Sequence, residues 1–271
     1  LGDVYKRHYY GMLNDKTGYI TLTSFTENCS EDVANALNEL KEKHHVKSII
    51  LDLRSNPGGL LTEAINVANI FLPKGEMIVS TKGRDYKEQK DYKAKSKAID
   101  TEIPLAILID RGSASASEIV SGVMQDLDRG IVIGKRSFGK GLVQTTKNVA
   151  FNSKVKMTTA KYYLPSSRCI QAIDYSGKYG DNPEKAADSL RTAFKTKCGR
   201  SVYDAGGIDP DIIIKNNEYS NIAISLIQKQ LVFDYATKYR QENKSIPTPD
   251  KFELTDQDFD KFVAFLADKK Y

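Results

Sequence analysis

The sequence predicts an α/β fold followed by further β structure and a helical C-terminal region, and three observations carry that prediction. Strand-like and helix-like segments alternate over residues 18 to 134. The later strand-like members are nearly continuous apolar runs, the kind buried on both faces of a parallel sheet. From Ser220 onward, apolar residues recur at helical spacing. With 271 residues, 40% of them apolar, the chain can bury one substantial core and a small appended domain.

In chain order, GYITLTSF (18 to 25) alternates apolar and polar residues with β-branched enrichment and reads as a strand. SEDVANALNELKEKH then places Val33, Ala36, Leu37 and Leu40 on one helical stripe, with Ser30 as the expected N-cap and Glu31 and Asp32 in the first turn. VKSIILDLR (46 to 54) completes a βαβ unit. It ends in SNPGG, a glycine pair at the carboxyl end of a buried strand, where α/β folds place their ligands. LLTEAINVANIFLP resumes helical spacing. The lysine-rich stretch 76 to 103 is expected to be a hairpin or excursion near the sheet, and PLAILID (104 to 110) is another buried strand. That strand leads into GSASASEIVSG, where a helix of about 13 residues is expected from Ser115 to Leu127, followed by the strand GIVIG (130 to 134). LVQTTKNV and VKMTTAKYYLP read as strands and 174 to 210 as loop. The tail carries Ile222, Leu226, Ile227, Leu231, Tyr235 and Tyr239 on one stripe, breaks at SIPTPDKFE, and ends in a helix opened by Thr255 and Asp258 in the manner of a capping box.

Composition narrows the function. The 40 Lys+Arg residues against 35 Asp+Glu give a net charge of +5, modest and spread along the chain, which does not suggest nucleic acid. No apolar run approaches the roughly 18 to 20 residues of a membrane span. The opening LGDVYKRHYY has no signal-peptide core and reads as the start of a mature form or an excised fragment. Cys29, Cys169 and Cys198 lack CxxC spacing, and His8, His44 and His45 form no HExxH, so no zinc site is expected and the cysteines read as unpaired thiols.

Four serines in eleven positions, Ser113, Ser115, Ser117 and Ser121, raise the question of a nucleophile. A serine needs a positioned base. His44 and His45 sit at a helix end, where the dipole explains them, and His8 lies in the leader. A lysine can replace histidine if burial favours its neutral form, and Lys140 lies between Gly139 and Gly141, whose lack of side chains permits close crowding. GKRSFGK also fits the first part of a phosphate-binding loop, but Gly141 stands where Ser or Thr would hold magnesium, and a strand follows instead of a helix. At a sharp strand-to-helix turn a nucleophile lies beside unsatisfied helix amides. Ser115 is the best placed of the four, with Ser113 the remaining alternative. Asp126 falls on the same helix face, yet eleven residues rise about 16 Å, so it is expected to support the site rather than touch it.

With these residues quoted, the sequence resembles the carboxy-terminal processing, or tail-specific, serine peptidases. The likeness runs over roughly residues 9 to 214, through GYITLTSF, LDLRSNPGGL, GSASASEIVSGVMQDLDRGIVIG, SFGKGLVQ and VKMTTAKYYLPSSR. The resemblance implies Ser115 as nucleophile, Lys140 as base and Gln144 as the residue orienting the lysine amine. It implies an oxyanion hole from the Ala116 amide and that of Gly58 or Gly59, and it also marks Asp126. It implies a crotonase-like α/β core, in residues 1 to 215, and a helical region in 216 to 271. The activity implied is endoproteolysis through an acyl-enzyme, without metal or organic cofactor, on protein or peptide substrates recognised near their C termini and outside the cytoplasm. Self-association is a further role open to the tail. Family members usually carry a PDZ domain before the core, and about 17 residues precede GYITLTSF, too few to hold one. The alternative is a latent peptide-binding or scaffold module. The complete set of Ser115, Lys140 and Gln144 favours the enzyme.

Overall fold

The computed structural model describes residues 8 to 84, 89 to 172, 188 to 215, 219 to 248 and 251 to 271. The chain divides into two compact units, Leu1–Ile214 and Lys215–Tyr271.

In the first unit the elements follow as β1 (His8–Asn14), β2 (Thr17–Leu22), α1 (Cys29–His44), β3 (Ser48–Asp52), α2 (Leu61–Phe71), β4 (Met77–Gly83), β5 (Lys90–Lys93), β6 (Leu105–Ile109), α3 (Ala116–Asp126), β7 (Ile131–Gly134), β8 (Leu142–Asn148), β9 (Lys154–Tyr163), β10 (Ala193–Lys195), β11 (Ser201–Tyr203) and β12 (Ile212–Ile213). One sheet has the order β1-β2-β3-β6-β7-β12, parallel throughout except for β1. The expected βαβ unit is β2-α1-β3. A second sheet, β5-β4-β9-β8, is antiparallel throughout. The lysine-rich excursion supplies its β4 and β5; residues 85 to 88 of that excursion lie outside the described residues.

The apolar stripe of α1 is buried at Val33, Ala36, Leu37 and Leu40. Every residue of α3 is buried. Small side chains at Ala116, Ser117, Ser121 and Gly122 let that helix pack closely, and a methyl group added at Gly122 would come within 2.5 Å of Leu164.

Three expectations need correction. Helix α1 is capped by Asn28, in the left-handed region, and not by Ser30, whose amide instead donates to Glu63 Oε2 at 2.9 Å. The supposed loop 174 to 210 contains the hairpin β10-β11 in its described part; residues 174 to 187 lie outside the described residues. The apolar stripe of the tail is divided between two helices, because Gln230 adopts φ 58° and breaks the path.

The second unit comprises α4 (Asn221–Gln228), α5 (Leu231–Glu242) and α6 (Asp256–Leu266). Leu226, Leu231 and Leu266 form its core, and Phe262 and Phe265 pack against it. The capping box at Thr255 and Asp258 is formed.

Candidate active site

Strand β6 ends at Ile109, and the chain turns sharply before α3 begins at Ala116. Ser115 sits at that corner with φ 55° and ψ −111°, a sparsely populated conformation for a residue with a side chain. The hydroxyls of its neighbours are committed to structure: Ser113 Oγ donates to the Leu53 carbonyl at 2.7 Å, Ser117 Oγ to that of Asn56 at 2.9 Å, and Ser121 Oγ to that of Ser117 at 2.7 Å. Those three serines are buried, whereas Ser115 is half-buried and its hydroxyl donates no hydrogen bond among the described residues. Burial and bonding thus separate Ser115 from Ser113 where spacing did not.

The glycine pair lies against this corner. At Gly58, φ is 97°, and an added methyl group would come within 2.9 Å of both Ser115 Cβ and the Ala116 nitrogen. Gly59 passes so close to Phe25 that any side chain would overlap its carbonyl. The Gly58 amide donates to Asn56 Oδ1 at 2.9 Å. The amides of Gly59 and Ala116 make no hydrogen bond among the described residues. A cleft of about 470 Å³ opens beside Gly59, lined also by Ser24, Phe25, Thr26, Glu27 and Leu60.

Lys140 lies in the segment between β7 and β8, flanked as expected by glycines in tight quarters; at Gly141 an added methyl would approach the Gln171 nitrogen to 2.5 Å. What holds this segment is Glu118, whose contact with it the sequence reading missed. Its Oε1 accepts from Ser137 Oγ at 2.5 Å and from the Gly139 amide at 2.7 Å. Its Oε2 accepts from the amides of Ser115 and Lys140, each at 2.8 Å. Two nitrogens at that length from one oxygen lie within about 5.6 Å of each other. The backbones of Ser115 and Lys140 are therefore adjacent. The Phe138 amide reinforces the contact by donating to the Ser113 carbonyl at 2.9 Å.

Glu118 is fully buried. Burial pushes its carboxyl up, while Ser137 and the three amides pull the other way by favouring the carboxylate. The signal in the sequence was the S-x-x-E spacing from Ser115 to Glu118, which marks a side chain able to reach back to the helix start.

The other candidates fall elsewhere. Lys140 itself is exposed. Gln144 is an exposed residue of β8, opposite Thr158. Strand β8 starts only at Leu142, and the extra residue at the register shift opposite Val143 and Gln144 is Thr159 of β9, so alternation along β8 does not reach back to Lys140 to relate it to Gln144. Asp126 is the last residue of α3, at the opposite end from Ser115. Its Oδ2 accepts from the Ser166 amide at 3.0 Å, and Oδ1 lies 2.8 Å from the guanidinium of buried Arg168. That charge contact is not aligned as a hydrogen bond, and Asp126 Oδ1, Ser166 Oγ and Arg168 Nε are buried without hydrogen-bond partners among the described residues.

Residues 16–177 match the family model described as peptidase family S41. The chain belongs to peptidase family S41. Within that family it is similar to the carboxy-terminal-processing protease of Bartonella bacilliformis, 46% identical over 159 residues that make up 58% of this chain and 36% of that protein. It is likewise similar to the chloroplastic C-terminal processing peptidase of Tetradesmus obliquus, 34% identical over 174 residues, covering 64% of this chain and 37% of the relative. The chain thus spans little more than a third of either relative's length. Among solved structures, the photosystem II D1 C-terminal processing protease superposes with a TM-score of 0.59 at 26% identity, over 77% of this chain and 48% of that one. Residues 222–271 match the model "Probable PDZ-protease, C-terminal helical domain". The S41 core accordingly lies in the first compact unit and the helical match in the second.

Proposed function

We propose that this S41 chain hydrolyses peptide bonds through Ser115 and Lys140. The observation that carries the reading is the shared Glu118 oxygen, which sets the two backbones side by side. In acylation the neutral Lys140 amine takes the Ser115 hydroxyl proton as Oγ attacks the carbonyl carbon, and the resulting ammonium returns a proton to the leaving amine as the C–N bond breaks. Water then releases the acyl group by the same route in reverse. Negative charge on the tetrahedral oxygen is met by the Ala116 amide and, because the Gly58 amide is taken by Asn56, by that of Gly59. A peptide laid over Ser115 and exposed Lys140 keeps bulk water away from the reacting groups. Gln144 orients that amine, and Asp126 supports the site from a distance through Arg168.

The substrates are proteins or peptides engaged near their C termini, outside the cytoplasm, in the cleft beside Gly59. The fold is the crotonase-like one, with residues 1 to 215 as the peptidase core and 216 to 271 as a helical region suited to self-association. No metal or organic cofactor takes part.

The test is to incubate the chain with an unstructured protein bearing a free C terminus and to identify fragments by mass spectrometry. Cleavage is expected from the parent and from neither Ser115→Ala nor Lys140→Arg, since a guanidinium does not give up its proton at accessible pH. Undiminished cleavage by either variant overturns the assignment.

A further inference from the structure

The net charge of +5 is less evenly distributed than composition suggests. Residues 129 to 173 contain nine Lys and Arg and not one Asp or Glu, so the rest of the chain is net acidic. At the centre of this stretch, β8 and β9 form a hairpin. Pairing of β9 with β4 involves only Ala160 to Tyr163, so beyond that point β8 and the first part of β9 pair, among the described residues, only with each other and project as a two-stranded ribbon. Lys147, Lys154 and Lys156 on this ribbon are exposed, and none makes an ion pair among the described residues.

The tip departs from ordinary turn chemistry. Phe151 and Asn152, each with φ 56°, are the central residues of a turn closed by the Ser153 amide on the Ala150 carbonyl at 3.3 Å. Such a turn favours Asn or Gly at its first central position. Here that position holds phenylalanine, 99% exposed, with Val149 beside it at 47%. Val155 and Met157 continue the exposed apolar surface along the ribbon, opposite Lys147 and Thr145. An apolar side chain held in strained backbone at the tip of a projection, followed by lysines and no acidic group, matches a surface with negative headgroups above a hydrocarbon layer.

We propose that the β8-β9 hairpin docks this protein onto an anionic lipid bilayer, with Phe151 and Val149 entering the headgroup region and Lys147, Lys154 and Lys156 meeting the lipid charge. The seven residues of β8 then hold Lys140 about 23 Å from the surface. An acidic protein is the competing partner for the lysines, but an apolar tip on a convex projection, with lysines on both faces of the ribbon behind it, suits a fluid layer that the tip can enter better than a preformed pocket.

The experiment is co-sedimentation of the whole chain with vesicles of phosphatidylcholine alone and of equal parts phosphatidylcholine and phosphatidylglycerol. Binding is expected only to the anionic vesicles, weakening as salt is added. Phe151→Gly relieves the turn and keeps its fold, checked by circular dichroism, so loss of binding in this variant reports the missing ring. Lys154→Gln with Lys156→Gln is expected to weaken binding by about fivefold per lysine. The chain has no tryptophan, so Phe151→Trp provides a single reporter whose emission should shift to the blue on anionic vesicles. Equal binding to both vesicle types, no binding, or an indole emission that stays in place in the Phe151→Trp variant overturns the proposal. So does polyglutamate that binds the hairpin while vesicles do not. None of these readouts depends on peptidase activity.

Discussion

Glu118 binds the serine turn and the lysine segment with one carboxylate, so its replacement tests the site more sharply than most neighbouring changes. Glu118→Gln swaps an acceptor oxygen for a donor facing other donors. It is expected to lower kcat by roughly 10²-fold or more, about 3 kcal/mol, with KM changing little. Steady-state kinetics on a soluble peptide checks this. At Gly58, alanine brings a methyl group onto Ser115 and Ala116 at a strained φ, and a loss of about 1 to 3 kcal/mol is expected in urea unfolding, along with activity. Acid stability offers a third test at this scale. Burial opposes ionisation of Asp100, but Lys41 and the amides of Ile103 and Glu102 prevail and hold its carboxyl at about 2. Because the folded value lies below the unfolded one near 3.9, the contribution is present above about pH 4 and lost as pH falls toward 2. Asp100→Asn should remove ~1 to 2 kcal/mol at neutral pH after allowance for solvent screening, and flatten the acid limb of a stability profile. Among these residues, Ser115 and Lys140 stood out as candidates from their motifs. The grip of Glu118 on residues 137 to 140 was not, because it depends on segments brought together only by the fold.

At the scale of elements, local pattern carried far. The buried strands and α1 to α3 announced themselves through apolar run length and period. Pattern failed where a distant partner or an unusual dihedral decided the outcome, as with Asn28 at the start of α1 and Gln230 between α4 and α5. The side-chain relation of Lys140 to Gln144 does not follow from strand alternation for a related reason: β8 begins only at Leu142, where its pairing with β9 starts, and that pairing is not visible from β8 alone. The C-terminal end of α3 depends on the Asp126 and Arg168 contact with the segment after β9. Burial pulls the Arg168 guanidinium down and Asp126 opposes it. Arg168→Met should cost about 3 to 5 kcal/mol by leaving a buried carboxylate without its cation, while adding Asp126→Asn should recover part of that loss. Thermal melts of the single and double variants give the comparison.

For the molecule as a whole, the division at residue 214 predicts unfolding in more than one step. The small unit relies on a core of three leucines and leaves Ile222, Ile227, Phe233, Phe259 and Val263 largely exposed. It should melt first, and calorimetry should resolve its transition from that of the larger unit. A single two-state transition would contradict this expectation. At this scale the α/β character and the helical tail were evident from sequence, whereas the projecting hairpin and its concentrated charge emerged only once strand pairing was known. The shared carboxylate in the larger unit also has a dynamic consequence. A carboxylate that anchors the turn of Ser115 and the segment of Lys140, the two residues proposed to react, makes their main chains move as one body, so thermal breathing carries serine and lysine together and preserves their spacing. Idling such a site is then a matter of how the lysine side chain swings, a motion of nanoseconds that a passing substrate can arrest, with no need to dismantle the turn that presents the serine.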